Sequence, residues 1–242
     1  MGRSPSFTRQ GLRRGARAVL VFVPSVVLFG LALGVTAAAA GLSLGEAVLM
    51  SGWVNAGGAQ MAALQVWSEP PAVAALCLTV LAMNTRYLLL GAALRPWFGA
   101  LPAWQSYPSL LVMGDGNWAL ALREHAAGRD DAAHLAGSGL VLWLAWVGAT
   151  MAGHLFGQVL GDPRAWGVDF ILGAFFATMA VGFFRSAASI LPFLVGAVVA
   201  VAVDRLLPGP WSLLAGALAG SLAGLVRPPA AIAGGRTAGD GR

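Results

Sequence analysis

Long apolar runs separated by short polar hinges dominate the chain. Six runs are continuous; they cover residues 18–40, 71–94, 133–159, 166–184, 188–206 and 210–227. Two weaker runs contain glycine and polar residues; they cover 44–67 and 105–122. Because a bilayer core of about 30 Å needs about 20 apolar helical residues, each continuous run predicts a membrane-spanning helix. The pattern therefore predicts an all-α, polytopic membrane helix bundle of six to eight spans, with short or broken helices in the weaker runs.

The composition agrees with a membrane protein. Of 242 residues, 58% are hydrophobic and 10% are charged, whereas soluble domains carry about 25% charged residues. The arginines lie between the apolar runs, so the net charge of +5 does not indicate a nucleic-acid partner. The single Cys77 excludes an intrachain disulfide, and no metal-ligand spacing occurs. We therefore expect no nucleic acid, metal or cofactor.

The positions of the arginines predict the orientation. Five precede the first run: Arg3, Arg9, Arg13, Arg14 and Arg17. The positive-inside rule places them in the cytoplasm. If all eight runs cross, Arg95 lies outside; if the two weaker runs are re-entrant, Arg95 also lies inside. Both alternatives place both termini in the cytoplasm.

Three segments follow from this interpretation. We expect residues 1–17 to form a basic cytoplasmic N-terminus and residues 18–227 to form the transmembrane domain. Residues 228–242 are rich in Pro, Gly and Ala, which predicts a disordered cytoplasmic tail.

The first weaker run contains the unusual stretch Asn55–Gln60. Gly57 and Gly58 would allow the helix to break there, which exposes free N–H groups at one half-helix end and free C=O groups at the other. Such ends bind anionic groups and cations respectively, and they mark many transporter sites. Asn55 and Gln60 would add hydrogen bonds to a solute. The alternative is that the glycines only let two helices touch.

Arg86 is a charged residue inside an apolar run. It lies about 13 Å along a helix from Arg95 at 1.5 Å per residue, and therefore near the membrane midplane. Its guanidinium would clamp a carboxylate through two hydrogen bonds, beside Asn84. The alternatives are snorkelling to the membrane surface and an ion pair with a buried acid.

Two acids complete the candidate site. Gly114 and Gly116 flank Asp115 and predict a second break, where Asp115 would hold an ammonium group, carry a proton or pair with Arg86. The alternative is a turn that connects two short helices. Asp169 lies beyond the first turn of a helix predicted to start at Pro163, and we expect a binding or coupling role for it.

Glycine and alanine recur at a spacing of four in two runs. The residues are Gly216, Gly220 and Gly224 in the last run, and Ala149, Gly153 and Gly157 in an earlier one. Each set lies on one helix face, where helix backbones can approach closely. Such a face either packs within the chain or docks a separate small membrane subunit.

Four segments together resemble the AzlC-type large subunit of branched-chain amino acid exporters. They are GLSLGEA (41–47), MSGWVNAGGAQMAAL (50–64), NTRYLLLGAAL (84–94) and GDPRAWGVDF (161–170). The resemblance runs over roughly residues 15–227. It implies a bacterial inner-membrane permease that exports branched-chain or related amino acids, usually with a small AzlD-type partner subunit.

The resemblance also bears on individual positions. It places six residues in family motifs: Gly57, Gly58, Gln60, Asn84, Arg86 and Asp169. The chain departs from the family pattern at Asn55, where an aromatic residue is frequent, and at Gly116, where a second acid is frequent. We expect these departures to bear on which substrate the chain chooses and on whether transport is coupled to protons.

The residues suggest a transport mechanism for a zwitterionic amino acid. Arg86, or free N–H groups near Gly57–Gln60, would bind the carboxylate. Asp115, Asp169 or free C=O groups would bind the ammonium, and apolar side chains would take the aliphatic tail. One half of the bundle would move against the other for alternating access.

A membrane-embedded enzyme is the alternative from another class. His125 and Asp130 have the His-x4-Asp spacing of glycerolipid acyltransferases, in which the His acts as general base and the Asp orients it. The short loop leaves no room for an acyl-donor domain, so we expect a permease and not an enzyme. The chain also has no phosphate-binding loop for nucleotide-driven transport.

Overall fold

The computed structural model describes residues 5–68, 70–160, 167, 190–207 and 210–226. These residues are mostly helical and contain no strand, which confirms the predicted all-α fold. The described helices are α1 (Arg9–Ala18), α2 (Val23–Ala39), α3 (Leu44–Val54), α4 (Gly57–Gln65), α5 (Val73–Asn84), α6 (Arg86–Phe98), α7 (Ala103–Leu111), α8 (Asp115–Ala126), α9 (Ala133–Leu160), α10 (Ile190–Leu206) and α11 (Pro210–Val226). The chain divides into two compact units, Met1–Phe175 and Phe176–Arg242.

Helices α2 and α9 form the most extensive helix pairing in the first unit. Glycines on both helices bring their backbones together: a Cβ atom on Gly34 would collide with the Thr150 carbonyl, and one on Gly153 would collide with the Leu31 carbonyl. The predicted small-residue face of α9 therefore packs within the chain.

Helices α3 and α4 form a hairpin whose tip is Asn55–Ala56. The side-chain amide of Gln60 on α4 donates to the Met50 carbonyl on α3 at 2.7 Å, which requires the two helices to fold back on each other. Ala47 of α3 and Leu64 of α4 also belong to one apolar cluster, which includes Leu42 just before α3.

Helices α7 and α8 form a second hairpin, with its tip at residues 112–114. Near its start, the Ser106 hydroxyl donates to the Phe98 carbonyl at 3.1 Å. Near its end, the His125 ring stacks on Trp97 with the ring centroids 4.8 Å apart. Both ends of the α7–α8 hairpin therefore lie beside the C-terminal end of α6.

The two hairpins enter the first unit from opposite ends. At one end, here called the Ser6 end, the Asp130 carbonyl accepts from the Ser6 amide at 2.9 Å, and the Asp130 side chain bonds His125 at 2.7 Å. At the other end, here called the Leu42 end, His154 of α9 donates to the Leu42 carbonyl at 2.7 Å. The α7–α8 hairpin enters from the Ser6 end and the α3–α4 hairpin from the Leu42 end.

Three helical stretches among the described residues are long and apolar enough to cross a membrane. They are Arg9–Ala39, Val73–Phe98 and Ala133–Val159, with 31, 26 and 27 residues. The first joins α1 to α2 through a 3₁₀ turn, and the second joins α5 to α6 at Thr85. The two weaker runs are the hairpins, so this part of the chain favours the re-entrant alternative over crossing at every run.

The basic N-terminal segment is largely helical, since α1 begins at Arg9. Asp131 holds it against α9 by accepting from the Thr8 amide at 3.2 Å and by pairing with Arg14 at 3.4 Å. Gly11 and Gly15 are buried on the same face of α1, so the segment is packed onto the bundle.

The described part of the second unit is a pair of packed helices, α10 and α11. A Cβ atom on Gly216 would lie 2.8 Å from the Gly196 carbonyl oxygen, and one on Gly220 would lie 2.9 Å from the Pro192 carbonyl oxygen. The predicted glycine face of the last run therefore packs within the chain. The predicted span 166–184 and the tail 228–242 lie outside the described residues, apart from residue 167.

Candidate solute site between two helix breaks

The first break occurs at Asn55, two residues before the glycine pair. Asn55 adopts the left-handed conformation, with φ 42° and ψ 36°, and ends α3. Asparagine tolerates this conformation better than most residues other than glycine. The polar Asn55 is thus the residue that turns the chain at the hairpin tip.

The carbonyl groups near this break are occupied by side chains of the protein. The donor–acceptor pairs are the Gln60 amide with Met50 at 2.7 Å, the Trp143 indole with Gly52 at 2.9 Å, and the Tyr87 hydroxyl with Asn55 at 3.5 Å. Backbone that leaves a helix at membrane depth must find partners within the protein. The expectation that free carbonyls here would bind an ammonium group is therefore not met at these three acceptors.

Gln60 is buried and both ends of its amide are engaged. Its nitrogen donates to Met50, and its oxygen accepts from the Trp146 indole at 3.1 Å. The side chain thereby joins α3, α4 and α9. Gln60 therefore holds the α3–α4 hairpin closed from within the packed interior and does not line the cavity beside the hairpin tips.

The two glycines of the pair have different surroundings. A Cβ atom on Gly57 would lie 2.6 Å from the Phe29 ring and 2.7 Å from the Trp146 ring. A Cβ atom on Gly58 would meet only the end of Met83, at 3.5 Å. Close packing explains Gly57, as the alternative interpretation of the pair expected, but it does not explain Gly58.

The second break lies between α7 and α8, as the Gly-Asp-Gly sequence predicts. Asn117 closes this tip: its oxygen accepts from the Gly114 amide at 2.7 Å, and its nitrogen donates to the Val112 carbonyl at 3.1 Å. Sequence analysis missed Asn117. Its position three residues after the helix-capping residue is the usual spacing of a capping box and was the available signal.

The two hairpin tips meet. The Asn55 side chain of the first tip donates to the Leu111 carbonyl of the second at 3.4 Å. Beside the tips is a cavity of about 310 Å³, within the size range of small-molecule sites. Its lining residues are Trp53, Val54, Asn55, Tyr87, Gly91, Leu110, Leu111 and Met113.

Arg86 and Asp115 form an ion pair, as one of the sequence alternatives expected. The Arg86 Nη1 and Asp115 Oδ2 atoms are 3.1 Å apart, and the side chains are 38% and 44% exposed. Arg86 is adjacent in sequence to Tyr87 of the cavity wall, and its guanidinium carbon lies 5.3 Å from the Tyr87 ring centroid. The pair therefore lies close to the cavity without appearing among its lining residues.

One polar atom of Arg86 itself and one of Asn84, two residues earlier, are buried without a hydrogen-bond partner among the described residues. They are Nε of Arg86 and Oδ1 of Asn84. Of the predicted site residues, the structure brings Asn55, Arg86 and Asp115 to the hairpin tips, whereas Gly57 and Gln60 lie in the packed interior. Asp169 lies outside the described residues.

A family model described as AzlC protein matches residues 21–160, which is more than half of the chain. The chain belongs to the AzlC family. The matched range contains both hairpins and the Arg86–Asp115 pair, and it ends before Asp169. AzlC proteins are membrane proteins associated with branched-chain amino acid transport. No curated protein and no solved structure matches the chain.

The His125–Asp130 pair of the alternative enzyme hypothesis has the contact that the hypothesis requires. In this AzlC-family chain the two side chains are 2.7 Å apart. The His125 ring also stacks on Trp97, and the Asp130 carbonyl also accepts from Ser6. The pair thus takes part in joining α6, α8 and the N-terminus at the Ser6 end. Among the described residues, no group of His, Cys, Asp or Glu is arranged to hold a metal ion.

Proposed function

We propose that this AzlC-family chain is a permease that exports branched-chain or related amino acids across the bacterial inner membrane. One observation carries the proposal: two broken-helix hairpins enter from opposite ends and meet at a cavity, joined by the Asn55–Leu111 hydrogen bond of 3.4 Å. Discontinuous helices at the midplane are a recurring feature of secondary-transporter sites.

The cavity suits an aliphatic amino acid. Leu110, Leu111 and Met113 supply apolar surface for the side chain, and Arg86 and Asp115 supply charges of both signs nearby. Ligand sites commonly combine apolar walls with a few polar groups that orient the ligand.

The arrangement of the helix ends in the first unit supports a cytoplasmic N-terminus. Arg95 lies at the C-terminal end of α6, and Trp97 of the same helix contacts His125 at the Ser6 end. The N-terminal arginines and Arg95 therefore belong to one end of the first unit. The positive-inside rule assigns that end to the cytoplasm.

An efflux assay tests the proposed function. Cells that express the chain, alone or with a small AzlD-type subunit, are loaded with labelled leucine, and its release is followed. We expect faster release than from cells without the chain, and the comparison shows whether the partner subunit is required. Arg86→Ala should abolish the gain, whereas Arg95→Ala, an exposed arginine on the same helix, should preserve it. Release that does not depend on the chain under either condition would contradict the proposal.

The second candidate is an acyltransferase that uses His125 and Asp130, and their 2.7 Å contact is the observation that favours it. The purified chain would then transfer an acyl group to a glycerolipid acceptor, and His125→Gln would abolish the transfer. If the chain is a permease and not an acyltransferase, the His125→Gln variant should retain leucine efflux, provided that it inserts in the membrane.

A further inference from the structure

The Arg86–Asp115 pair leaves part of the guanidinium unengaged. The Arg86 Nη1 and Asp115 Oδ2 atoms are 3.1 Å apart. The Nε atom of Arg86 is buried without a hydrogen-bond partner among the described residues. An arginine that recognises a carboxylate fully does so through two parallel hydrogen bonds. The guanidinium therefore retains unused donor capacity while it is paired with Asp115.

Each member of the pair also has support that does not depend on the other. Arg86 lies over the Tyr87 ring at 5.3 Å, where the ring face attracts the cation. Asp115 is the first residue of α8, where the helix dipole stabilises a carboxylate. Separation of the two side chains would leave both charges with part of their stabilisation.

We infer that this ion pair opens to receive the two charged groups of the solute, so that the site selects zwitterionic α-amino acids over solutes with one charge. This inference rests on the proposed function. The solute carboxylate takes the place of Asp115 at Arg86, and its ammonium takes the place of Arg86 at Asp115. The aliphatic side chain lies against Leu111 and Met113 in the adjacent cavity.

Electrostatics explains the selectivity. Both side chains are partly exposed, at 38% and 44%, so the pair opens at low free-energy cost, and each separated charge then needs a new partner. A zwitterion compensates both charges at once. An amine would compensate only Asp115, and a carboxylic acid would compensate only Arg86. A site built to pair with a polar group rejects analogues that lack it.

Competition against leucine tests the inference in the full chain, purified with its partner subunit if efflux requires it. The probes are 3-methylbutylamine, which is leucine without its carboxylate, and 4-methylpentanoate, which is leucine without its amine. The wild-type chain should bind leucine at least about tenfold more tightly than either probe. Wild-type protein that binds no amino acid would refute the proposed function itself.

Two neutralising variants should change the preference in opposite directions. In Asp115→Asn, Arg86 is unpaired, so 4-methylpentanoate should bind at least as well as leucine. In Arg86→Gln, Asp115 is unpaired, so 3-methylbutylamine should do so. A folded single variant that keeps the wild-type ranking, or that binds none of the three compounds, overturns the inference.

The double variant Arg86→Gln/Asp115→Asn keeps the test decisive if a single variant fails to fold, because it leaves neither charge unpaired. It should bind leucine and the two probes with affinities within about threefold, since neither charge is recognised. A double variant that still prefers leucine by the wild-type ratio overturns the inference. Arg95→Gln on the same helix is the matched control and should bind like the wild type.

Discussion

The side-chain amide of Asn55 donates to the carbonyl oxygen of Leu111 at 3.4 Å and joins the tips of two hairpins that enter the first unit from opposite ends. The residues are far apart in sequence, and each lies where a helix stops. A solute that occupies the adjacent cavity would contact both tips. Movement of either tip would open the cavity toward one end.

Labelling of single cysteines tests the re-entrant topology. The native Cys77 is exposed, so Cys77→Ser supplies a background without thiols. Ser68 follows α4 at the Leu42 end, while Ala100 and Ala127 follow α6 and α8 at the Ser6 end. A membrane-impermeant maleimide should label Ser68→Cys in intact cells, but Ala100→Cys and Ala127→Cys only in inverted vesicles. Labelling of Ala100→Cys from outside the cell would instead indicate eight crossings.

Gln60→Met should destabilise the protein, because it removes the amide that joins Met50 to Trp146. Each buried partner left without a hydrogen bond costs about 1–3 kcal/mol. For a chain of this size, 1 kcal/mol lowers Tm by about 2–4 °C. Thermal unfolding in detergent measures the change, with Gln10→Met at an exposed position as the control. Equal Tm values for the two variants would contradict a stabilising role for the Gln60 hydrogen bonds.

Gly57→Ala and Gly58→Ala form a matched pair on one helix. At residue 57 the added methyl group collides with the Phe29 and Trp146 rings, whereas at residue 58 it meets only Met83 at 3.5 Å. Overpacking costs about 1–3 kcal/mol, while Gly→Ala in a helix gains up to about 1 kcal/mol. Melting curves should show a loss of stability for Gly57→Ala and no loss for Gly58→Ala. The reverse order would contradict this packing.

Asp131→Asn should loosen α1 from α9. The carboxylate is buried, with 6% of the residue exposed, and it accepts from Thr8 and pairs with Arg14. Loss of its charge removes the attraction to Arg14 and weakens the hydrogen bond from the Thr8 hydroxyl. Limited proteolysis in inverted vesicles should cleave near Arg9 and Arg13 faster in the variant. Asp204→Asn, in α10 of the second unit, serves as a control that should leave the cleavage rate unchanged.

The lengths of the apolar runs were enough to predict the all-α fold, and the residues that interrupt them located the first helix break to within two residues. Backbone groups in a bilayer are satisfied within helices, so long apolar runs have few other solutions. Such runs are interrupted by residues that favour helix ends or turns, namely Asn55, Gly57 and Gly114. These signals are local and are therefore readable along the chain.

Two features follow from tertiary contacts alone: the weaker runs fold into hairpins, and polar groups such as Gln60 and Asn117 are bonded within the protein. At the Ser6 end the His125 ring of α8 stacks on Trp97 of α6, and in the interior the Gln60 oxygen accepts from the Trp146 indole. Neither contact could be predicted from the local sequence around the residues that it joins. A hydropathy profile also has the same value for a run that crosses and for one that returns. It measures how apolar the run is and not the direction that the chain takes after a helix break.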